Sequence, residues 1–307
     1  MDRLLSKRVV LVTGKGGVGR SSVAAALSQL ARSRGRRVLV TEIGDAPEDY
    51  SPLARNFGRD RLPLHPEPLE AGIQGVLLLA RSGQEQFLRS VLRSGALARA
   101  ALRSDALRRL LSAGPSFREM GVFFQLLGLL RAARPDGTPE HELILVDMPA
   151  TGHTLSLTGL PDLLLKLVPG GPIAESLREG QGYLNDPERA AAWLVTLPET
   201  LPVSECLELI DGLTASRMPI GGVLLNRIPQ DPFTPAERAL LGSALARRDV
   251  LGRESFQRAL KTQREQQRLL AGTSLPVFAL PEVPHAGLVA AMAKVLETVT
   301  PLPRSAP

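Results

Sequence analysis

The chain has 307 residues, 44% of them hydrophobic, enough for one large α/β core with insertions. A single cysteine, Cys206, excludes an internal disulfide or a Cys-x-x-Cys metal clamp; no apolar run approaches the roughly 18 residues of a membrane span and the opening MDRLLSKR is unlike a signal peptide, so a soluble, cytoplasmic protein is expected. The net charge of +6 comes from arginines scattered among acids and alanines, a solvated surface that disfavours nucleic acid as a partner.

Arg8–Gly14 (RVVLVTG) is a β-branched run stopped by glycine, which predicts a buried strand. From Ser21, SSVAAALSQLARSRG carries Val23, Leu27 and Leu30 on one helical face and closes at Gly35. RRVLVTEI reads as a second buried strand. Strand, glycine loop, helix and strand make a βαβ unit and imply a parallel sheet with right-handed crossovers. Ile73–Ala80 is a third strand. From 84 to about 135 the pattern turns helical and reads as an insertion. Residues 155–190 form a further helical stretch, broken by Pro161, Pro169 and Pro172, and are a second candidate for that insertion. HELILVDMP (His141–Pro149), AAWLVTLPE, IGGVLLNRI and LPVFALPEVP are four more apolar strands. Thr234, Pro235 and Glu237 form a capping box that opens a helix, and HAGLVAAMAKVLETV is a closing one. Together these elements predict a single doubly wound, mostly parallel α/β domain carrying a helical insertion.

TGKGGVGRSS (Thr13–Ser22) lies between the first strand and the first long helix. Gly14, Gly16, Gly17 and Gly19 let backbone N–H groups close round an anion, with Lys15 and Val18 between them. The N-terminal amides and dipole of the helix behind the loop favour the same negative charge. Against the general pattern G-x-x-x-x-G-K-[S/T], Ser21 offers the hydroxyl expected to reach Mg²⁺, whereas Arg20 stands where lysine belongs. Asp147 ends a buried strand at the carboxyl edge of the sheet, where α/β proteins bind ligands.

GKGGVGRS is one residue from the deviant phosphate loop GKGGVGK[S/T]. With it, LVDMPATGHTLSL (Leu145–Leu157), LVTLPETLPVSE (Leu194–Glu205) and LLNRI occur in order. On these segments the chain resembles the ATPases that drive arsenite efflux pumps or target tail-anchored membrane proteins, within the wider group that includes MinD and ParA. The resemblance implies ATP and Mg²⁺ as ligands, bound by Gly14, Lys15, Gly16, Gly17, Val18, Gly19, Arg20, Ser21 and Ser22. It makes Lys15 the signature lysine that reaches a partner's nucleotide, Asp147 a holder of the Mg²⁺ shell with Ser21, Asn226 the adenine-reading asparagine, and Pro281 part of the loop that flanks the adenine. It also implies a first switch with a water-positioning carboxylate. TEIGDAPEDY offers Glu42 and Asp45 for that role, and both stay open.

Arginine is a bulkier planar fork than lysine's compact ammonium. Arg20 is therefore expected to keep nucleotide binding while slowing hydrolysis, because phosphoryl transfer depends on charge placed against the transition state. One cysteine cannot supply the soft thiolates of a metalloid site or a shared zinc clamp. The expected partners are a second copy or a related ATPase in a heterodimer, and a hydrophobic helical client received near Phe123 and Phe124. An ATP-binding switch without turnover and a ParA- or MinD-like positioning ATPase are the alternatives.

Overall fold

The computed structural model describes residues 1–83, 116–149, 151–167, 169–230, 233–245 and 253–304. Their strands form one sheet of eight, β1 Val9–Thr13, β2 Val38–Gly44, β3 Glu67–Glu70, β4 Ile73–Leu79, β5 Leu143–Asp147, β6 Ala190–Thr196, β7 Ile220–Ile228 and β8 Val277–Pro281, in the spatial order 3-4-2-5-1-6-7-8. Every pairing is parallel except that of β3 with β4. The helices are α1 Asp2–Leu5, α2 Arg20–Ser33, α3 Pro52–Arg55, α4 Ser116–Arg131, α5 Thr151–Leu167, α6 Gly171–Leu184, α7 Thr200–Ala215, α8 Pro235–Leu245, α9 Arg253–Gly272 and α10 Leu288–Thr298.

The continuous apolar strands of the sequence are explained by burial on both faces of the sheet. In β1, Val10 and Val12 join a core beneath α2 and α10, with Leu27, Met292 and Leu296, while Val9 and Leu11 point to the other side, beneath α4 to α7, with Phe123, Leu157, Leu177 and Leu209. The period-two alternation of a strand thus feeds two cores at once, as a doubly wound sheet requires.

The central helical segment resolves into distinct parts. Residues 84–115 of the expected insertion lie outside the described residues. Within α4, Phe123 and Phe124 are 1% and 6% exposed, so neither offers an open surface; Phe123 sits against Gly180 of α6, where an added Cβ would collide with its ring. Pro161 does not break α5 but lies inside it, buried beside Leu160 and Leu157. Apolar burial there offsets the hydrogen bond that a proline removes. Pro172 falls in the first turn of α6, where a missing N–H costs nothing. The capping box at Thr234 is present: Glu237 accepts from the Thr234 amide at 2.7 Å, and the Glu237 amide donates to the Thr234 hydroxyl at 3.3 Å.

Candidate functional site

β1 delivers the chain into the glycine loop at the carboxyl edge of the sheet, and α2 begins at Arg20 immediately after it. Gly14, at φ +145°, lies against the carbonyl oxygen of Val195, where a side chain would collide. Gly19 precedes the helix at φ +95°, a left-handed conformation that costs glycine little. The amide of Asn226, on β7, donates to the Val18 carbonyl at 2.8 Å, and its Oδ1 accepts from the Arg227 amide at 2.9 Å. Asn226 is 1% exposed. Its polar atoms are thus engaged in fixing the loop and the end of β7. It also borders a cavity of about 130 Å³ with Gly19, Ser22, Pro281, His285 and Met292. The loop and the residues expected to surround an adenine therefore do converge.

Ser21 and Asp147 meet as well: the serine hydroxyl hydrogen-bonds the carboxylate. Asp147 is 6% exposed and its Oδ1 has no hydrogen-bond partner among the described residues. Burial raises its pKa to about 6, against the lowering effects of the Ser21 bond and the Arg20 charge. Glu42 is its partner in the β2–β5 register. The two carboxylates stand side by side, and Glu42 is raised to about 7, first by burial and further by the charge of Asp147. Glu42 Oε2 accepts from the Leu53 amide and the Ser51 hydroxyl, both at 3.1 Å, and so holds the start of α3. Asp45 lies three residues on, exposed, in the turn after β2, where its amide donates to Asp49 Oδ2 at 3.2 Å. The two candidates for water positioning are separated into a strand-end carboxylate with structural partners and a loop carboxylate.

Arg20 has turned inward. Nη1 donates to the Gly14 carbonyl at 2.9 Å and to the Pro149 carbonyl at 2.5 Å. Burial lowers its pKa and the nearby Asp147 raises it. Lys15 points the other way, its Nζ 2.8 Å from Glu205 Oε1 on α7, with the two side chains 33% and 30% exposed.

Three participants carried no role in the sequence reading. Glu205 stood at the end of a quoted segment without an assignment. Thr154 shares a 2.7 Å hydrogen bond with Thr13 that joins the end of β1 to α5, and its place in ATGHTL was the available signal. The Pro149 carbonyl had no side-chain signal at all.

A mostly parallel sheet with helices on both faces, a glycine loop between its central strand and the next helix, and an acid ending the neighbouring strand define an α/β protein of the P-loop nucleotide-hydrolase fold. Residues 7–169 match the anion-transporting ATPase family, and the chain belongs to that family. It is 32% identical over 247 residues to the ATPase BagA of Mycobacterium tuberculosis, across 77% of this chain and 71% of the relative. An uncharacterised protein of Streptomyces coelicolor is 30% identical over 191 residues, across 60% of this chain and 42% of its own length. No helix among the described residues is long and apolar enough to cross a membrane.

Proposed function

We propose that the protein binds ATP with Mg²⁺ in the Gly14–Ser22 loop and hydrolyses it slowly. The observation that carries this reading is Asp147: a buried carboxylate beside the loop, with one oxygen lacking a hydrogen-bond partner among the described residues. A half-satisfied buried acid costs free energy unless a cation completes it, so the donor set fits a hard divalent ion. Ser21 and Asp147 would hold that ion, which when bound offsets the negative charge of the phosphates. The loop amides and the start of α2 bind the phosphate chain, and the cavity edged by Asn226 and Pro281 takes the base.

Arg20 keeps a positive charge beside the phosphates, yet its guanidinium is already engaged with Gly14 and Pro149. A cation that must leave two carbonyls before meeting phosphate is poorly preorganised for the transition state. We assign water positioning to Asp45, because Glu42 is committed to the start of α3. Lys15 is held by a partly exposed ion pair of the weak class. It can exchange Glu205 for a phosphate on a second protomer, so ATP-dependent dimerisation, with itself or a related ATPase, belongs to this reading.

Calorimetric titration with ATP, with Mg²⁺ and with EDTA, tests it. Magnesium-dependent binding in the parent and its loss in Asp147→Asn are expected; a protein indifferent to adenine and guanine nucleotides alike would end the proposal. Arg20 also favours a second reading, a switch that binds ATP without turnover. Single-turnover release of phosphate separates the two.

A further inference from the structure

At the end of the sheet opposite the glycine loop lies a cavity of about 570 Å³, within the size range of small-molecule pockets. It opens where β2, β4 and the approach to β5 begin. The five residues of β5 put it roughly 15 Å of strand rise from Asp147. Pro68, Leu69 and Ala71 supply the apolar part of its wall that solvent reaches, and Val38 and Ile73 lie buried beneath them. Three polar side chains border it with hydrogen-bonding capacity unspent. His141 is 3% exposed and makes no side-chain hydrogen bond among the described residues; neither does the half-buried Gln74. Arg59 donates to the Pro68 carbonyl at 2.8 Å and has no ion-pair partner among the described residues.

A largely buried imidazole with no protein partner among the described residues can offer a ligand a hydrogen bond for which little water competes. The charges around the cavity narrow the ligand class. Arg37 is taken by Glu142 and by the carbonyls of Pro139 and Glu140. Glu70 accepts from the neutral Gln29 amide and keeps its charge. Arg59 remains as the lining cation without a carboxylate among the described residues, while Glu70 and Glu140 add negative charges that disfavour polyanions such as phosphate. We propose that this cavity binds a small monocarboxylate with an apolar body, the carboxylate facing Arg59 and His141 and the body lying on Pro68, Leu69 and Ala71.

The test needs no nucleotide and so stands or falls apart from the ATPase reading. The full chain is labelled at histidine and titrated with benzoate, and in parallel with benzyl alcohol, which has the same ring without the charge. The His141 resonance is assigned by His141→Gln or, should that variant not fold, by substituting His65, His153 and His285 in turn. Benzoate should shift the His141 signal saturably, with a dissociation constant on the order of 1 mM for so small a probe. It should also raise the pH at which His141 titrates. Burial first, and then Arg8 and Arg37, hold that pKa low against the opposing charge of Glu140, and a bound carboxylate adds a second negative charge. Arg59→Gln, at an exposed position, should weaken benzoate about tenfold and leave benzyl alcohol unchanged. Absence of a saturable shift at His141, equal affinity for the two probes, or undiminished benzoate binding by Arg59→Gln would each overturn the proposal.

Discussion

Arg20 Nη1 donates to the carbonyl oxygen of Pro149 and so ties the first residue of α2 to the segment that leaves β5. The same nitrogen also holds the Gly14 carbonyl inside the loop. One guanidinium therefore links the glycine loop to the chain two residues beyond Asp147, and any ligand that draws Arg20 toward itself must release both carbonyls.

Arg20→Lys breaks the Pro149 link without removing the charge. We expect kcat for ATP hydrolysis to rise by about tenfold, less than the roughly hundredfold or more that a correctly placed transition-state donor contributes because Arg20 already keeps the charge, with the nucleotide Kd changed less than about threefold. Steady-state phosphate release and calorimetry on the two proteins measure the two quantities. An unchanged or lower kcat would show that Arg20 does not limit turnover.

Gly14 and Gly16 should differ sharply in what alanine costs. At Gly14 a Cβ collides with the Val195 carbonyl oxygen at a left-handed φ, whereas at Gly16 nothing lies within 4 Å of an added Cβ. Gly14→Ala is expected to cost about 2–4 kcal/mol and Gly16→Ala less than about 0.5 kcal/mol, read as denaturation midpoints in urea. Similar midpoints for the two would mean the loop relaxes freely around Gly14.

Asp147 makes stability depend on pH in the nucleotide-free, metal-free protein. Its folded pKa of about 6 lies above the ordinary carboxylate value. A carboxyl raised on folding contributes stability that is complete below its unfolded pKa of about 3.9 and is lost as pH climbs through the folded value. Between about pH 4 and 6 the protein should therefore lose stability on this account. Asp147→Asn, which has nothing to ionise, should exceed the parent by about 1–3 kcal/mol at pH 8, with the difference gone near pH 4. Melting curves across that range in EDTA decide the matter; a variant less stable than the parent at pH 8 would refute the burial argument.

Lys15→Ala separates function from stability. Its pair with Glu205 is one-third exposed, and such pairs are worth about 0–1 kcal/mol, so Tm should move by no more than a few degrees. If Lys15 meets a nucleotide across a dimer, the variant should fail to dimerise with ATP in analytical ultracentrifugation while still binding it. Dimerisation equal to that of the parent would remove Lys15 from the interface.

Much of this architecture is written locally. β1 alternates between two cores because every residue from Val9 to Val12 is apolar, and α2 follows because glycines give way to an alanine-rich run with one apolar face. The loop, Ser21, Asp147, Asn226 and Pro281 could be named from spacing and resemblance because each lies at a strand end or a helix start. Local pattern was less informative elsewhere. β3, which carries Pro68, was not among the expected strands; it forms an edge of the sheet, where a missing N–H can face away from the neighbouring strand. α9 is largely polar; its buried stripe of Phe256, Ala259, Thr262, Glu265 and Leu269 includes an acid that becomes tolerable only because Thr200 and Arg268 donate to it.

The sequence by itself determined a mostly parallel α/β sheet with a glycine loop at its carboxyl edge, since strand burial, glycine flexibility and helix starts act over a few neighbouring residues. The tertiary structure alone decided where the two loop cations point. Arg20 finds Pro149 across 129 positions and Lys15 finds Glu205 across 190, and no periodicity encodes such pairs. The cavity around His141 arises in the same way, from three strand beginnings that only the closed sheet brings to one place. Long flexible cations and buried polar groups take whatever partners the packed fold leaves within reach, and that supply is a property of the whole molecule.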